Sequence, residues 1–357
     1  MSDGPADFAV LGSTPLARLI AGLLASAHGK SVIWLGDSHA AFRLPRGVDL
    51  SVGPITRPES WALLAQTVPE TVKLLARAGG KAATMRLDPI FFADTPMGQQ
   101  ALAFLRSSAE GFGQSIERLP LNHLGKGRDG LVLRDAIALQ RDRLEPVLDR
   151  WLDGLKVRRL PLYAQIDIAA DGSARIALDG AVTEATKTIL ADDEALLAYL
   201  PADILANLFV RQKMTTILTE PTFPMAARVM LQVDADLSVM QGSHRGVTTI
   251  GAGDHEACIS QIGVLLGANR QLRQAGGASH ERLRSPDGAP VLGRVDGMGP
   301  EVLAGLGPTG VFLAPALARW FAGAASPDES AYFAARIPGR PASPSRVAEY
   351  APVRAAA

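Results

Sequence analysis

A chain of 357 residues is too long for one small core and points to two domains or one large mixed domain. Apolar residues at 47% and charged residues at 20% give a globular composition and exclude intrinsic disorder. Lys plus Arg and Asp plus Glu are each 36, which leaves no net charge to seek nucleic acid or an anionic membrane, and the single cysteine, Cys258, excludes an internal disulfide framework and a cysteine-rich metal site.

The N-terminus, from Met1 to Asp7, carries acids where a signal peptide carries bases. The apolar stretch 16–27 is interrupted by Arg18 and falls short of the ~20 residues a membrane span needs. These features predict a soluble, cytoplasmic protein. Residues 8–12 form a short apolar run ending in glycine, which predicts a buried strand. A helix follows, with Thr14 as N-cap, Pro15 at its first position, apolar residues at 16, 19, 20, 23 and 24, and Gly29 as its stop. Residues 31–35 predict a second strand ending at Gly36-Asp37, and the right-handed crossover makes the two strands parallel.

Further along, the patterns predict a helix over 57–78, a strand over 85–93 and a helix over 96–111. A polar glycine-punctuated loop at 125–130 precedes a long amphipathic helix over 134–152. Strands are expected at 157–162, 165–169, 174–178 and 187–191. From 210 to 253 the texture turns to short β-rich runs at 214–218, 227–233 and 247–250, which predict an antiparallel sheet. A helix over 255–274, a turn and strand over 285–293, and a glycine-rich entry at 302–310 into a helix over 311–321 complete the pattern. The Pro/Ala/Ser/Arg-rich end, 338–357, predicts a mobile tail.

The strand–glycine–helix–strand–acid order at the N-terminus is how a dinucleotide is held: the helix N-terminus offers free N–H groups to the pyrophosphate, and an acid after the second strand accepts from a ribose. Here the glycine template reads Gly12-Ser13-Thr14-Pro15-Leu16-Ala17, with Thr14 where the second glycine belongs. Gly36 stands in the acid slot and Asp37 follows it. On this segment alone a nucleotide site and a purely structural β-α-β unit both stand.

The C-terminal segments carry a resemblance. Ser285-Pro-Asp-Gly-Ala-Pro-Val-Leu-Gly293 and Gly305-Leu-Gly-Pro-Thr-Gly-Val-Phe-Leu-Ala-Pro315 resemble the end of the D-amino-acid oxidase, glycine oxidase and sarcosine oxidase family of flavoproteins. Residues 86–94, 210–218 and 246–251 resemble the strands of that family's substrate domain, so the likeness runs along most of the chain. It implies a mixed α/β fold with a Rossmann-like FAD-binding domain from 1–80, 126–200 and 283–337 and an antiparallel-sheet substrate domain from 81–125 and 201–282. It also implies non-covalent FAD, with Gly12, Thr14, Pro15 and Asp37 on the nucleotide side and Gly305, Gly307, Thr309, Gly310 and Val311 by the flavin. Three departures fall at these contacts: Thr14 and Gly36; Leu190-Ala-Asp-Asp193, where the family has a strand ending in A-x-G; and Arg211-Gln-Lys-Met214, which lacks the glycine common after that arginine.

In the resembled chemistry an α-hydrogen leaves as hydride to flavin, and the protein orients the substrate. The family's arginine, four residues before its "PDG" element, is Arg282 here, and its planar fork matches a carboxylate. A plain salt bridge is the alternative role for Arg282, and Arg211, Arg245 and Arg284 are the other candidates for a clamp. His39, His244 and His255 lie near the expected site, each with an ordinary surface role as the alternative. Cys258 reads as a buried helix cysteine. The expected function is therefore FAD-dependent oxidation of an amine or amino acid by hydride transfer to flavin, with a catalytically silent homologue that acts as a subunit or scaffold, its FAD binding weakened or lost, as the alternative.

Overall fold

The structure is a computed structural model that describes residues 4–37, 43–120, 122–155, 157–267, 272–341 and 347–350. Strand β1 (Ala6–Leu11), helix α1 (Pro15–His28) and β2 (Val32–Leu35) are followed by α2 (Pro58–Arg77), β3 (Thr84–Leu87), β4 (Ile90–Ala93), α3 (Pro96–Gly111) and β5 (Ile116–Arg118). Next come β6 (Asp129–Leu133), β7 (Ala136–Leu139), α4 (Arg141–Gly154), β8 (Arg158–Leu160), β9 (Gln165–Ile168), β10 (Ala174–Leu178) and β11 (Ala181–Leu190). Two short helices, α5 (Asp193–Tyr199) and α6 (Ala202–Leu208), lead to β12 (Val210–Pro221), β13 (Val229–Gln232), β14 (Leu237–Gln241), β15 (Gly246–Ala252) and α7 (His255–Leu266). The chain closes with β16 (Gln274–Arg284), β17 (Val291–Val295), β18 (Met298–Ala304), a 3-10 turn (Gly307–Leu313), α8 (Ala314–Ala322) and α9 (Pro327–Ala334).

The expected β1–α1–β2 unit is present, and its strands pair in parallel with Leu11 opposite Leu35. The first sheet runs β17-β18-β11-β1-β2-β8, with β10 and β9 folded onto β11. Alternation decides how β1 is buried: Phe8 and Val10 face the core shared with α1, α2, α4 and α8, whereas Ala9 and Leu11 face the core beneath α5 and α6. The second sheet runs β16-β12-β15-β14-β13-β4-β6-β5 and is antiparallel except where β13 meets β4. Mixed α/β architecture with two large sheets is thus what the sequence led us to expect.

Four local expectations are corrected. The strand expected over 85–93 is two strands in different sheets, β3 and β4, because Asp88-Pro89 turns the chain and proline cannot donate to a ladder. The helix expected over 134–152 begins only at Arg141. Asp135 takes φ +58°, outside the helical region, and its N–H donates to Asp88 Oδ1 (2.9 Å). The helix expected to reach 274 stops at Leu266, where Gly267 takes a positive φ of +90° with an extended ψ and leaves the helical path. Finally, part of the expected mobile tail is packed: Val347, Ala348, Glu349 and Tyr350 are buried, and Thr56 N–H donates to Glu349 O (3.0 Å) while Tyr350 N–H donates to Gly288 O (3.0 Å).

The pairing also cuts across the expected domain limits. β6 lies within the stretch 126–200 that was placed in the first domain, yet it pairs with β4 and β5 in the second sheet. β16 runs through the limit set between 282 and 283.

Candidate functional site

The turn after β1 is held from all sides. β11 lies parallel to β1 with Leu190 opposite Leu11, and Ala191 N–H donates to Leu11 O (2.8 Å), so the register carries Asp192 beside Ser13. There Ser13 N–H donates to Asp192 Oδ2 (2.7 Å), and Asp192 Oδ1 accepts from Ala195 N–H (3.0 Å) as the N-cap of α5. The nearby Thr14 N–H favours the charged form of Asp192. Thr14 caps α1 as expected, its Oγ1 accepting from Ala17 N–H (3.4 Å), with Pro15 in the first turn. Burial raises the Asp192 carboxyl above the ordinary carboxylate range.

The opposite side of the turn is equally occupied. Trp34 Nε1 donates to Gly12 O (3.0 Å), and a Cβ on Gly36 would stand 2.2 Å from that same oxygen, so no acid fits in the ribose slot. Asp37 N–H donates to Ser13 Oγ (3.1 Å). Fully buried Arg18 donates to Ser13 O (2.6 Å), Asp37 O (3.0 Å) and Asp149 Oδ1 (2.8 Å), with Glu145 at 3.5 Å. In the sequence Arg18 read only as an interruption of an apolar stretch. In the fold it ties α1 to α4 and to the end of β2.

A dinucleotide pyrophosphate does not fit this turn as it stands. Of its expected donors, the Ser13 amide already holds a carboxylate, and Ala17 N–H holds Thr14. A Cβ on Gly12 would lie 2.9 Å from Asp192 Oδ2, so the carboxylate rests where phosphate should approach the glycine.

Between the two sheets lies a cavity of about 540 Å³. Its walls come from Ser13 and Thr14, the loop 43–49, Asp192 to Glu194, the β13–β14 hairpin, β16, and the turn after β18. Leu231, Val233, Leu237 and Met240 give one side an apolar lining. β16 gives the cavity wall its end from His280 to Arg284, which brings His280, Arg282 and Arg284 to the site. Arg282 Nη1 donates to Asp236 Oδ1 (2.8 Å) and its Nη2 to Arg46 O (3.4 Å), while Arg46 pairs with Glu194. Arg141 makes a two-pronged pair with Asp49 at 2.5 and 2.9 Å. Two buried atoms in the cavity wall, His280 Nε2 and Asp236 Oδ2, have no hydrogen-bond partner among the described residues. Burial pushes the His280 imidazole down to about 4, with Arg282 and Arg46 adding repulsion, so it is neutral at pH 7. Burial pushes the Asp193 carboxyl up to about 6.

Of the residues expected from sequence, Thr14, Gly305, Gly307, Gly310, Val311 and Arg282 line this one cavity. Gly12, Pro15, Asp37 and Thr309 do not. Thr309 is buried behind the wall, its Oγ1 donating to Leu306 O (3.2 Å) and lying 3.4 Å from the Tyr350 hydroxyl. Of the other arginines considered, Arg284 lines the cavity, Arg211 pairs with Glu281 on the surface, and Arg245 sits exposed in a turn at φ +64°. His244 is exposed and His255 contacts Gln274 outside the cavity, while His39 lies outside the described residues. Cys258 is buried in α7, and burial pushes its thiol up to about 11, which matches the structural role expected of it. No cluster among the described residues is arranged to hold a metal ion. Sequence reading missed His280, Asp236 and Tyr350. The alternation in His280-Glu281-Arg282-Leu283-Arg284 was the available signal for the first, but the Gly/Ala/Ser-rich start of β16 hid the strand.

No protein-family model matches the chain, and no curated protein matches it by sequence. Solved structures do match along nearly the whole length. Glycine oxidase from Geobacillus kaustophilus superposes with a TM-score of 0.70 at 15% identity, over 92% of this chain and 97% of that one. Iminodiacetate oxidase from Chelativorans sp. BNC1 gives 0.64 at 18% identity, over 89% and 94%. NikD, an amino acid oxidase of nikkomycin biosynthesis, gives 0.71 at 13% identity, over 95% and 99%. The chain therefore shares the fold of these amino-acid oxidases at low sequence identity.

Proposed function

We propose that the chain is a catalytically silent relative of the amino-acid oxidases, a subunit or scaffold that binds a small amine or amino acid in the cavity between its sheets without FAD. The observation that carries this reading is where the cavity ends. Its wall takes in Arg282 and the turn Gly305–Val311, but stops at Ser13 and Thr14 and includes neither Gly12 nor Asp37. The substrate end of the site is open, and of the expected nucleotide contacts Thr14 reaches the cavity while Gly12, Pro15 and Asp37 lie outside it. The names of the similar structures, glycine oxidase and iminodiacetate oxidase, supply the ligand class. Arg282 and Arg284 suit a carboxylate, and Asp236 Oδ2 suits an ammonium group.

A second reading, FAD-dependent oxidation of an amine or amino acid, is favoured by one observation: Gly305, Gly307, Gly310, Val311 and Arg282 meet around the same cavity. That reading requires the Gly12 turn to open. The absorbance spectrum of the purified protein, before and after incubation with FAD and gel filtration, separates the two. A spectrum without flavin bands in both samples supports the silent reading. Stoichiometric flavin retained on the column overturns it in favour of the oxidase.

A further inference from the structure

We infer that Asp192 is a built-in substitute for the dinucleotide pyrophosphate, and that this one side chain is what keeps a nucleotide from the β1–α1 turn. The inference deepens the silent reading above and rests on it.

A helix N-terminus presents unpaired N–H groups and a partial positive charge, and both are relieved by an anion. In a dinucleotide fold the anion is phosphate, supplied from outside. Here it is supplied by the chain. The parallel register of β11 on β1, with Leu190 opposite Leu11, sets position 192 level with position 13. Asp192 then accepts from Ser13 N–H at 2.7 Å, and the nearby Thr14 N–H favours its charged form. Its second oxygen accepts from Ala195 N–H at 3.0 Å, so both oxygens are committed. The carboxylate lies against Gly12, within 2.9 Å of where a Cβ would stand. Gly12 has φ +152°, so the turn keeps the glycine that close phosphate approach would need, although no space for phosphate remains beside it. A phosphate entering this turn would meet a buried carboxylate and would find the Ser13 amide taken. Exclusion is therefore both steric and electrostatic.

The assignment separates two roles of Asp192. As N-cap of α5 it needs only a short acceptor, which serine supplies. As occupant of the turn it needs the reach and charge of aspartate. Asp192→Ser keeps the cap and empties the turn, while Asp192→Asn keeps the shape and drops the charge.

The test is isothermal titration of the full-length protein, wild type and both variants, with ADP, inorganic pyrophosphate and FAD. Wild type is expected to give no binding. Asp192→Ser should bind ADP and pyrophosphate at least about 30-fold more tightly than wild type, the factor that corresponds to about 2 kcal/mol. Asp192→Asn should gain a smaller factor. Circular dichroism and the melting temperature establish that each variant is folded. If either folded variant shows no gain for ADP or pyrophosphate, the assignment of Asp192 is overturned, while the silent reading survives on the wild-type result. If wild type itself binds FAD tightly, both fail together. If Asp192→Ser does not fold, the Asp192→Asn titration alone decides.

Discussion

Replacing Glu349 by alanine should unlock the C-terminal segment from the protein, and the loss can be sized from the structure. Glu349 Oε1 accepts from Arg336 Nη2 (2.7 Å) and Nε (3.0 Å) and from Ser60 Oγ (2.8 Å). Arg336 is 3% exposed and its guanidinium lies 3.6 Å from the centroid of the Tyr332 ring. Removing one partner of a buried pair costs about 3–5 kcal/mol because the remaining charge is left without compensation. Glu59, exposed and 3.5 Å from Arg336, supplies weak compensation, so the low end is expected. An unfolding entropy of about 2.1 cal/mol/K per residue over 357 residues is about 0.75 kcal/mol/K, so a loss of about 3 kcal/mol lowers the melting temperature by about 4 °C. Urea unfolding followed by circular dichroism gives the free energy, and calorimetry gives the melting temperature. Tyr350 forms part of the cavity wall, so Glu349→Ala should also bind a polarity-sensitive dye that wild type excludes. Glu349→Leu combined with Arg336→Met should recover most of the stability, since no charge then stays buried. A Glu349→Ala protein within about 0.5 kcal/mol of wild type, the range of ordinary surface substitutions, would refute the packing of this segment.

Other expectations test the site and its surroundings. Arg18→Met removes the buried cation shared by Glu145 and Asp149 and loosens the Ser13 and Asp37 carbonyls, so it should cost about 3 kcal/mol or more in urea unfolding. His280 has a folded value of about 4 against an ordinary 6.5, so the unfolded state takes the proton first. Its contribution to stability is lost as pH falls from about 6.5 through 4, and His280→Leu should show a smaller acid-induced fall in melting temperature than wild type. Asp193 has the opposite sign: with a folded value of about 6 against 3.8, it lowers stability as pH rises through that window. Asp193→Asn should therefore be more stable than wild type at pH 7 and not at pH 4. Asp236→Asn removes the carboxylate assigned to the ligand ammonium, so glycine and iminodiacetate should give smaller thermal shifts than with wild type. Equal shifts would mean that Asp236 does not receive the ligand ammonium.

Local sequence was enough to determine the opening β-α-β unit. The apolar run, the Thr14 cap, Pro15 and the Gly29 stop each act within a few residues, and the structure repeats them in place. The glycine turn at Gly305–Gly310 and the PDG element were also legible, because glycine and proline restrict the backbone wherever they stand. The departure at Asp192 and Asp193 could be seen as a break in a pattern, but its consequence could not. Only the pairing of β11 with β1 brings position 192 to the Gly12 turn, 179 residues away along the chain from Ser13. The same holds for Arg18, whose partners lie on α4, and for Glu349, which reaches back to Ser60 and Arg336. Periodicity also failed at Asp135 and at the start of β16, where a turn residue and a run of small residues outweighed the local pattern. Propensity and capping are short-range terms, so sequence alone could place the elements. Charge pairing and cavity walls depend on which elements become neighbours, and the tertiary structure decided that.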